Sequence, residues 1–317
     1  MNDYPLQIRQ IRLEAQDIAS FELATLDGSA LPPAPPGGHL DIQIPGGPRR
    51  SYSLLGPDLV ADHYRIAVKR EADSRGGSAW LHERSRVGQV LQVSGPHDDF
   101  PLVEQAPHTV LIAGGIGITA VLPMAHRLAA LQRPWTLHYA TRDARSTAFD
   151  APLRALEEGP LASVARYRTR AGGARMDLEA IVRAAPPGSH FYCCGPASMV
   201  EAYLVATRDC APAQVHLERF ASSQQAAVDG GYALVLARSG RELAVVPGRS
   251  MLDTLLDAGI DISYACTQGI CGTCRLGVLD GEPDHRDECL SEAERESRRC
   301  VIACCSGART PTLTLDL

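Results

Sequence analysis

The sequence predicts a multidomain protein that joins an antiparallel β-barrel, a doubly wound parallel sheet and a small α+β domain. Three observations support this prediction. Short alternating apolar runs between Gly- and Pro-rich turns occupy the first third of the 317 residues, strands alternate with helices in the middle third, and a C-x4-C-x2-C run lies in the last fifth. A chain of this length can form two or three separate cores.

The composition excludes several classes of protein. The net charge is −6 and no basic stretch stands out, which argues against a nucleic-acid-binding protein. No apolar run approaches the length of a membrane span, and the N-terminal residues lack the charged-then-apolar pattern of a signal peptide. We therefore expect a cytoplasmic protein.

Residues 1–104 have the pattern of a small β-barrel. Apolar and polar residues alternate in the runs 40–44 and 64–68, and turns such as P-P-A-P-P-G-G separate such runs. Residues 50–53, R-S-Y-S, combine a phosphate-pairing guanidinium with an aromatic ring and two hydroxyls. Residues 76–78, G-G-S, precede an apparent helix whose N-terminus could hold a phosphate. Taken alone, either motif is also an ordinary strand or turn sequence.

Residues 105–220 have the pattern of a parallel sheet with crossover helices. A strand, a glycine loop and a helix follow one another over residues 109–131. Further strands are predicted at 135–142 and 190–194, the latter followed by a helix over 197–208. Strands that alternate with helices indicate a doubly wound fold.

The loop G-G-I-G-I-T at 114–119 is the main evidence for a dinucleotide site. Its glycines let a phosphate approach the backbone, and the helix N-terminus behind it favours negative charge. Simple tight turns also use glycines, so the loop alone leaves both interpretations open. The run C-C-G-P at 193–196 ends a later strand, at the edge where such sheets bind ligands. Cys193 itself is predicted to be a core residue.

The last third begins with a predicted linker. Residues 221–231 are small and polar with no apolar period, which is typical of a flexible connection. Residues 232–317 then predict two hairpin strands, a helix over 250–259, the cysteine loop and a closing strand over 313–317.

The cysteine loop is the strongest chemical signal. The spacing of Cys266, Cys271 and Cys274 is that of a plant-type [2Fe–2S] site, which a more distant cysteine completes. Gly269 and Gly272 supply the backbone freedom that such a tight loop needs. A structural zinc site usually pairs two C-x-x-C motifs, whereas this sequence has one, so the cluster is the better interpretation.

The fourth ligand has four candidates in the sequence. Spacing and the following S-G-A favour Cys304, whose neighbour Cys305 would point away on an extended segment. Cys289 and Cys300 are expected to be buried thiols.

Taken together, the three parts resemble the phthalate dioxygenase reductase family, whose close relatives include the vanillate O-demethylase reductases. The resemblance covers essentially the whole chain. Its motifs are R-S-Y-S at 50–53, A-V-K at 67–69, R-G-G-S at 75–78, G-G-I-G-I-T at 114–119, T-R-D at 141–143, Y-C-C-G-P at 192–196, H-L-E-R-F at 216–220, the cysteine loop, and D-H-R-D at 284–287. The resemblance implies a flavin-binding β-barrel at 1–104, an NAD-binding domain at 105–220 and a plant-type ferredoxin (β-grasp) domain at 232–317.

The resemblance also implies the cofactors FMN, NADH and one [2Fe–2S] cluster, and it assigns residues to each. The FMN phosphate and ribityl chain would be held by Arg50, Arg75, Gly76, Gly77 and Ser78. The flavin would be lined by Ser51, Tyr52, Ser53, Ala67, Val68 and Lys69. The nicotinamide dinucleotide would be bound by Gly114, Gly115, Gly117, Arg142, Cys194, Gly195 and Pro196. At the reacting rings would lie Thr119, Cys194 and Phe220, with Cys194 packing near the nicotinamide and not acting as a nucleophile.

Three positions depart from the family pattern. Ala120 stands where Pro is usual, P-H-D-D-F at 96–100 replaces P-R-N-x-F, and Cys305 replaces a common Val. None of these changes removes an implied ligand, but the second replaces the family's Arg and Asn side chains.

The resemblance implies an electron path. NADH delivers two electrons together, a [2Fe–2S] cluster accepts one, and FMN between them converts the pair into single electrons. We expect a monomeric reductase component that supplies a Rieske-type oxygenase acting on an aromatic or similar small substrate. The alternatives are a stand-alone flavin reductase, which needs no cluster, and a non-catalytic iron–sulfur redox sensor, which needs no glycine loop.

Acidic residues gather near the end of the chain and have two interpretations. They could steer a basic docking face of a partner, or they could form a solvated face offset by nearby arginines, which we favour. The residues are Asp280, Glu282, Asp284, Asp287, Glu288, Glu292, Glu294 and Glu296.

Overall fold

A computed structural model describes residues 3–56, 62–72, 74, 76–170, 172–173, 175–220, 222 and 224–317. The chain divides into two compact units, the first ending at Phe220 and the second following it. No helix among the described residues is long and apolar enough to cross a membrane.

The first sheet is an antiparallel barrel. Its six strands are β1 (Tyr4–Ala15), β2 (Ile18–Ala24), β3 (His39–Gln43), β4 (Arg49–Ser53), β5 (His63–Lys69) and β6 (Val90–His97). They follow the order β4-β3-β6-β1-β2-β5, and a bridge between Leu54 and Ile66 joins the two ends. Alternating residues such as Leu40 and Ile42 fill the interior, which also receives Leu81 from helix α1 (Gly77–Glu83). The predicted barrel is therefore confirmed.

The second sheet is parallel throughout. Its strands are β7 (Thr109–Gly114), β8 (Trp135–Thr141), β9 (Ala162–Arg168), β10 (His190–Cys194) and β11 (Val215–Glu218), in the order β11-β10-β7-β8-β9. The order reverses between β7 and β10, because β8 and β9 extend to one side and β11 to the other. Such a switch point opens a crevice at the carboxyl ends of the strands.

Helices cover both faces of the parallel sheet. They are α2 (Ile118–Ala130), α3 (Asp150–Glu157), α4 (Leu178–Ala184) and α5 (Ala197–Ala206). One core contains Leu111, Leu137 and residues of α2 and α3, and the other contains Ile112, Cys193 and residues of α4 and α5. The predicted doubly wound fold is confirmed, and Cys193 is a core residue as expected.

Two strands of this sheet were not predicted from the sequence. Strand β9 has no fully buried residue, and every residue of β11 is half-buried. Both lie at the edges of the sheet, so neither shows the continuous apolar run of a central parallel strand.

The second unit has the β-grasp fold that the sequence predicted. Its main sheet contains β12 (Tyr232–Leu236), β13 (Arg241–Val245), β14 (Arg275–Asp280), β16 (Cys300–Ile302) and β18 (Thr312–Leu315), in the order β13-β12-β18-β14-β16. Strands β15 (Pro283–Asp284) and β17 (Gly307–Ala308) form a separate pair. Helix α6 (Met251–Asp257) packs Met251 and Leu255 into the core, and α7 (Glu292–Ser297) is short and exposed.

Part of the predicted linker is hydrogen-bonded within the second unit. The Ala227 amide donates to the Cys305 carbonyl at 2.7 Å, and the Gly248 amide donates to the Val228 carbonyl at 2.8 Å. Ala221 and Ser223 lie outside the described residues.

Candidate functional site

The four predicted cluster ligands converge in the second unit. Three lie in the loop between α6 and β14, and Cys304 lies in the turn after β16. The Cys266 sulfur lies next to those of Cys271 and Cys304, and the Cys304 sulfur lies next to that of Cys274. The fold therefore brings all four sulfurs to one place.

Main-chain and hydroxyl groups already point at these sulfurs. The Gln268 amide donates to the Cys266 sulfur at 3.3 Å, and the Gly269 amide donates to the Cys304 sulfur at 3.2 Å. The Thr273 hydroxyl donates to the Cys271 sulfur at 3.2 Å. Donors of this kind stabilise the thiolates that bind iron.

The chemistry of the four thiols fits a [2Fe–2S] cluster. The pairing with Cys271 and Cys304 lowers the pKa of Cys266, and the pairing with Cys304 lowers the pKa of Cys274, whereas the same pairings raise the pKa of Cys271 and Cys304. Iron would bind the sulfurs as thiolates and displace the remaining protons. In the described part of the chain, no three His, Cys, Asp or Glu side chains surround a single metal-ion position. A two-iron cluster takes its thiolates in pairs on separate irons, so it does not require such a position.

The position of Cys305 differs from the sequence expectation. Residues 303–305 form a turn, not an extended segment, so Cys305 does not point away from its neighbour. Its thiol contacts that of Cys304 and lies 2.5 Å from where a Cβ on Gly269 would be. Because Gly269 also has φ +75°, only glycine fits there. Cys300 is buried as expected, and Cys289 is half-buried.

The glycine loop and the C-C-G-P run meet at the switch point of the parallel sheet. A Cβ on Gly117 would overlap the carbonyl oxygen of Cys194, and one on Gly114 would lie 2.6 Å from Cδ of Pro196. A Cβ on Gly195 would lie 2.7 Å from the Met199 sulfur. These glycines therefore allow two loops to touch, and both loops line the crevice where a dinucleotide would bind.

Gly115 differs from Gly114 and Gly117 in having open space at its Cβ position. Its φ is +56° and no atom lies within 4 Å of its Cβ position, which leaves room for a ligand. Helix α2 starts directly behind this loop without a side-chain cap at its N-terminus. The buried hydroxyl of Thr119 donates to the Ile116 carbonyl at 2.9 Å, so it closes the turn from within. This arrangement can accept a phosphate.

Glu218 is a candidate that the sequence reasoning missed. It lies beside Cys194 in the register of β10 and β11, and its Oε2 atom is buried with no hydrogen-bond partner among the described residues. Burial, and then the neighbouring Asp99 carboxylate, raise the pKa of Glu218 to about 8. Burial also raises the pKa of the Cys194 thiol. Both raised pKa values favour the neutral forms of the two groups, which suits contact with an uncharged ring.

A signal for Glu218 was present in the sequence. It is the acidic residue of H-L-E-R-F, a motif from which only Phe220 had received a role. Its importance depends on the pairing of β11 with β10, and β11 itself was not predicted.

The proposed phosphate-binding residues of the barrel lie together. A Cβ on Gly77 would lie 2.8 Å from Cγ of Arg50 and 3.0 Å from the Tyr52 hydroxyl, so these three residues are in close contact. Gly76 has φ +97° and begins helix α1. The Ser78 hydroxyl donates to Ser74 at 3.0 Å. Arg75 lies outside the described residues.

The residues expected to line the flavin differ in whether their side chains or only their backbones can face a ligand. The Ser51 hydroxyl donates to the Asp41 carboxylate at 2.6 Å, and the Ser53 hydroxyl is buried without a partner among the described residues. Val68, in contrast, packs its side chain into the barrel core, so only its backbone can face a ligand. The Lys69 amine binds the Glu71 carboxylate at 2.8 Å.

The barrel and the parallel sheet share one core beside this site. Ala67 of β5 belongs to the same buried cluster as Cys194, and Phe220 packs half-buried against it. The turn at 115–117 lies against β5. The residues expected at the flavin and at the nicotinamide are therefore adjacent. Arg142 is exposed directly beyond the end of β8, the strand that pairs with β7 up to Gly114.

Comparison with known proteins relates both units to oxygenase reductases. Residues 234–309 match the family model of the 2Fe-2S iron-sulfur cluster binding domain. The chain is 46% identical to phenoxybenzoate dioxygenase subunit beta of Ectopseudomonas oleovorans, covering 98% of this chain and 97% of that protein. It is 39% identical to vanillate O-demethylase oxidoreductase of Pseudomonas sp. (strain HR199 / DSM 7063), covering 98% of this chain and 98% of that protein.

A solved structure extends the comparison to the fold. Phthalate dioxygenase reductase, described as a modular structure for electron transfer from pyridine nucleotides to [2Fe–2S], superposes with a TM-score of 0.83. The two chains are 34% identical, and the match covers 100% of this chain and 98% of that one.

Replacing Gly117 with alanine tests the contact between the two loops. The added methyl group would overlap the Cys194 carbonyl, so the backbone must shift. We expect Gly117→Ala to lower the free energy of unfolding by about 1–3 kcal/mol and to weaken dinucleotide binding. Gly159→Ala is the control, since its Cβ would meet no atom closer than 3.3 Å. Calorimetric titration with NADH measures the affinity; equal affinities in the two variants would contradict the contact.

Glu218→Gln tests the buried carboxyl group. Because its pKa rises from 4.5 to about 8 on folding, the folded protein holds a proton that the unfolded chain releases. The retained proton stabilises the folded protein fully below pH 4.5, and this stabilisation is lost as the pH rises through 8. Between pH 4.5 and 8, we expect the unfolding midpoint temperature of Glu218→Gln to fall less than that of the wild-type protein. Glu158→Gln, at an exposed position, should leave the pH profile unchanged; identical profiles for both variants would refute the assignment.

Proposed function

Because the chain belongs to the phthalate dioxygenase reductase family, we propose that it is the reductase component of a Rieske-type oxygenase. The chain is an NADH-dependent oxidoreductase whose cofactors are FMN and a [2Fe–2S] cluster. The oxygenase would act on an aromatic or similar small substrate, by dioxygenation or O-demethylation. One observation carries the proposal: a single chain combines the four-thiol loop with the glycine crevice, and relatives named for oxygenases match it over nearly its whole length.

The three parts of the chain would serve three steps in order. FMN, when bound, would supply the conversion of a two-electron hydride from NADH into single electrons for the cluster, chemistry that belongs mainly to the cofactor. We propose that residues 1–104 hold FMN, residues 105–220 hold NADH and residues 232–317 hold the cluster, with 221–231 as the connection. The protein would contribute position and shielding from water.

Several side chains would position the two rings. Arg50 and the amides at Gly76 and Gly77 would bind the FMN phosphate, because Arg50 packs against Gly77 at the start of α1. The unpartnered Ser53 hydroxyl would bind a polar edge of the flavin. Phe220 would cover the ring, since it packs beside the core that contains Ala67 and Cys194.

The neutral thiol of Cys194 would pack against the nicotinamide. Its raised pKa opposes formation of a thiolate, so it is unsuited to nucleophilic attack. The glycine loop would hold the dinucleotide phosphates at the start of α2. Cys266, Cys271, Cys274 and Cys304 would bind the two irons.

The two alternative functions fit the structure less well. A stand-alone flavin reductase has no use for four convergent thiols with amide donors aimed at their sulfurs. An iron–sulfur sensor has no use for the crevice in which Gly117 touches Cys194.

Four of the eight acidic residues near the end of the chain form ion pairs with arginines. Glu282 lies 3.4 Å from Arg298, Asp284 lies 2.9 Å from Arg286, and Glu294 lies 2.6 Å from Arg275. This pairing favours a solvated face over a strong steering field. We propose that a monomer meets the oxygenase transiently in the cytoplasm, with rates that change little with ionic strength.

Cys266→Ser tests the order of electron transfer. We expect the variant to lose electron delivery to cytochrome c by at least about a hundredfold, because the cluster is missing. NADH should still bleach its flavin band in stopped-flow absorbance, since FMN and NADH bind elsewhere. Cys210→Ser is the control, because Cys210 lies outside the cluster loop. If a folded, FMN-loaded Cys266→Ser protein no longer shows flavin bleaching by NADH, the proposed order of electron transfer is wrong.

Reconstitution with an oxygenase tests the partner. A tagged form of the chain should co-purify with an oxygenase from its source cells, and NADH should then reduce that protein's Rieske centre, as followed by EPR. Reduction of a haem partner without reduction of any Rieske protein would overturn the proposed partner class.

A further inference from the structure

A buried carboxylate lies directly behind the cysteine loop. The Asp287 side chain has no exposed surface. Its Oδ2 accepts a hydrogen bond from the Leu290 amide at 2.9 Å and lies 3.9 Å from the Cys289 sulfur. His285 Nδ1 lies 3.5 Å from Oδ1. None of the implied cofactor contacts uses this residue.

Arg295 of α7 is the charge partner of Asp287. One guanidinium nitrogen donates to the Asp287 carbonyl at 2.6 Å and lies 3.4 Å from Oδ2. The Arg295 side chain is 40% exposed, whereas the carboxylate is fully enclosed. The positive charge is therefore screened by water more than the negative charge is, and the pair leaves a net negative field inside.

The segment that contains Asp287 touches the cysteine loop at both of its glycines. The Asp287 Cα lies 3.1 Å from the Cβ position of Gly269, and the neighbouring Glu288 amide donates to the Gly269 carbonyl at 2.8 Å. The Cys289 sulfur lies 3.7 Å from the Cβ position of Gly272. Gly269 is the residue whose amide donates to the Cys304 sulfur. Any charge on Asp287 therefore acts on the loop at close range.

We propose that Asp287 and Arg295 form a charge pair that sets the reduction potential of the cluster. Reduction adds one negative charge to the site, so a nearby buried carboxylate disfavours it and a nearby guanidinium favours it. Asp287 is a positioning residue as well, because its main chain supports the loop. Its charge keeps the potential low, and Arg295 limits how low it becomes. This inference rests on the [2Fe–2S] cluster and is independent of which oxygenase receives the electrons.

Two variants with opposite expected effects test the proposal. Asp287→Asn keeps an oxygen acceptor for the Leu290 amide and removes the negative charge. It should favour cluster reduction about tenfold, which is 59 mV upward for a one-electron couple. Arg295→Gln removes the positive charge and should shift the potential downward by a smaller amount, since Arg295 is partly exposed. EPR-monitored redox titration of the holoprotein at one fixed pH measures both.

Matched controls separate charge from structure. Asp284→Asn changes the other aspartate of D-H-R-D, which pairs with Arg286 and Arg309, and should move the potential less than Asp287→Asn. Arg295→Lys keeps the charge and should restore the wild-type potential. Asp287→Asn could fail to assemble a cluster. In that case the proposal is still supported if Arg295→Gln lowers the reduction potential and Arg295→Lys has the wild-type potential.

Three results would overturn it. They are unchanged potentials in both variants, shifts of the same sign in both, and loss of the cluster from both. A purely structural role would produce the second or third of these, because it has no reason to reverse sign with charge. A wild-type protein without the EPR signal of a reduced [2Fe–2S] cluster would refute the cofactor itself, a distinct failure.

Discussion

The contact between Gly117 and the Cys194 carbonyl is the constraint around which the first unit is organised. It joins the loop after β7 to the end of β10, and these two strands are neighbours at the switch point of the sheet. Because the backbones touch, the loop and the start of α2 are fixed relative to Cys194 and Glu218. The crevice for a dinucleotide follows from that contact.

The shared core extends this constraint to the barrel. Ala67 from β5 and Phe100 beyond β6 belong to the same buried cluster as Cys194 and the residues of α2. A barrel strand therefore lies against the glycine turn, and the residues expected to meet the flavin and the nicotinamide become neighbours. The proximity that hydride transfer requires results from ordinary apolar packing.

In the second unit, too, a glycine permits two segments to approach closely. Gly269 lets the cysteine loop close over Cys305 and Asp287, just as Gly117 lets two loops meet in the first unit. Closure aims amide donors at the sulfurs and places a buried charge behind them. Loop shape and local electrostatics are thus two consequences of one close approach.

The three-part fold and the chemistry of the strongest motif could both be predicted from the sequence. Alternation identified β3 and β5, apolar runs identified β7 and β10, and the spacing of three cysteines identified the cluster loop, because each of these signals is local in the chain. Three features are visible in the fold alone: β9 and β11 complete the sheet, the Val68 side chain turns inward, and Glu218 lies beside Cys194. The contacts of Cys305 and Asp287 with Gly269 could likewise not be predicted from the sequence. These arrangements join segments that are distant in sequence, and packing and strand register fix them without leaving a local pattern in the sequence.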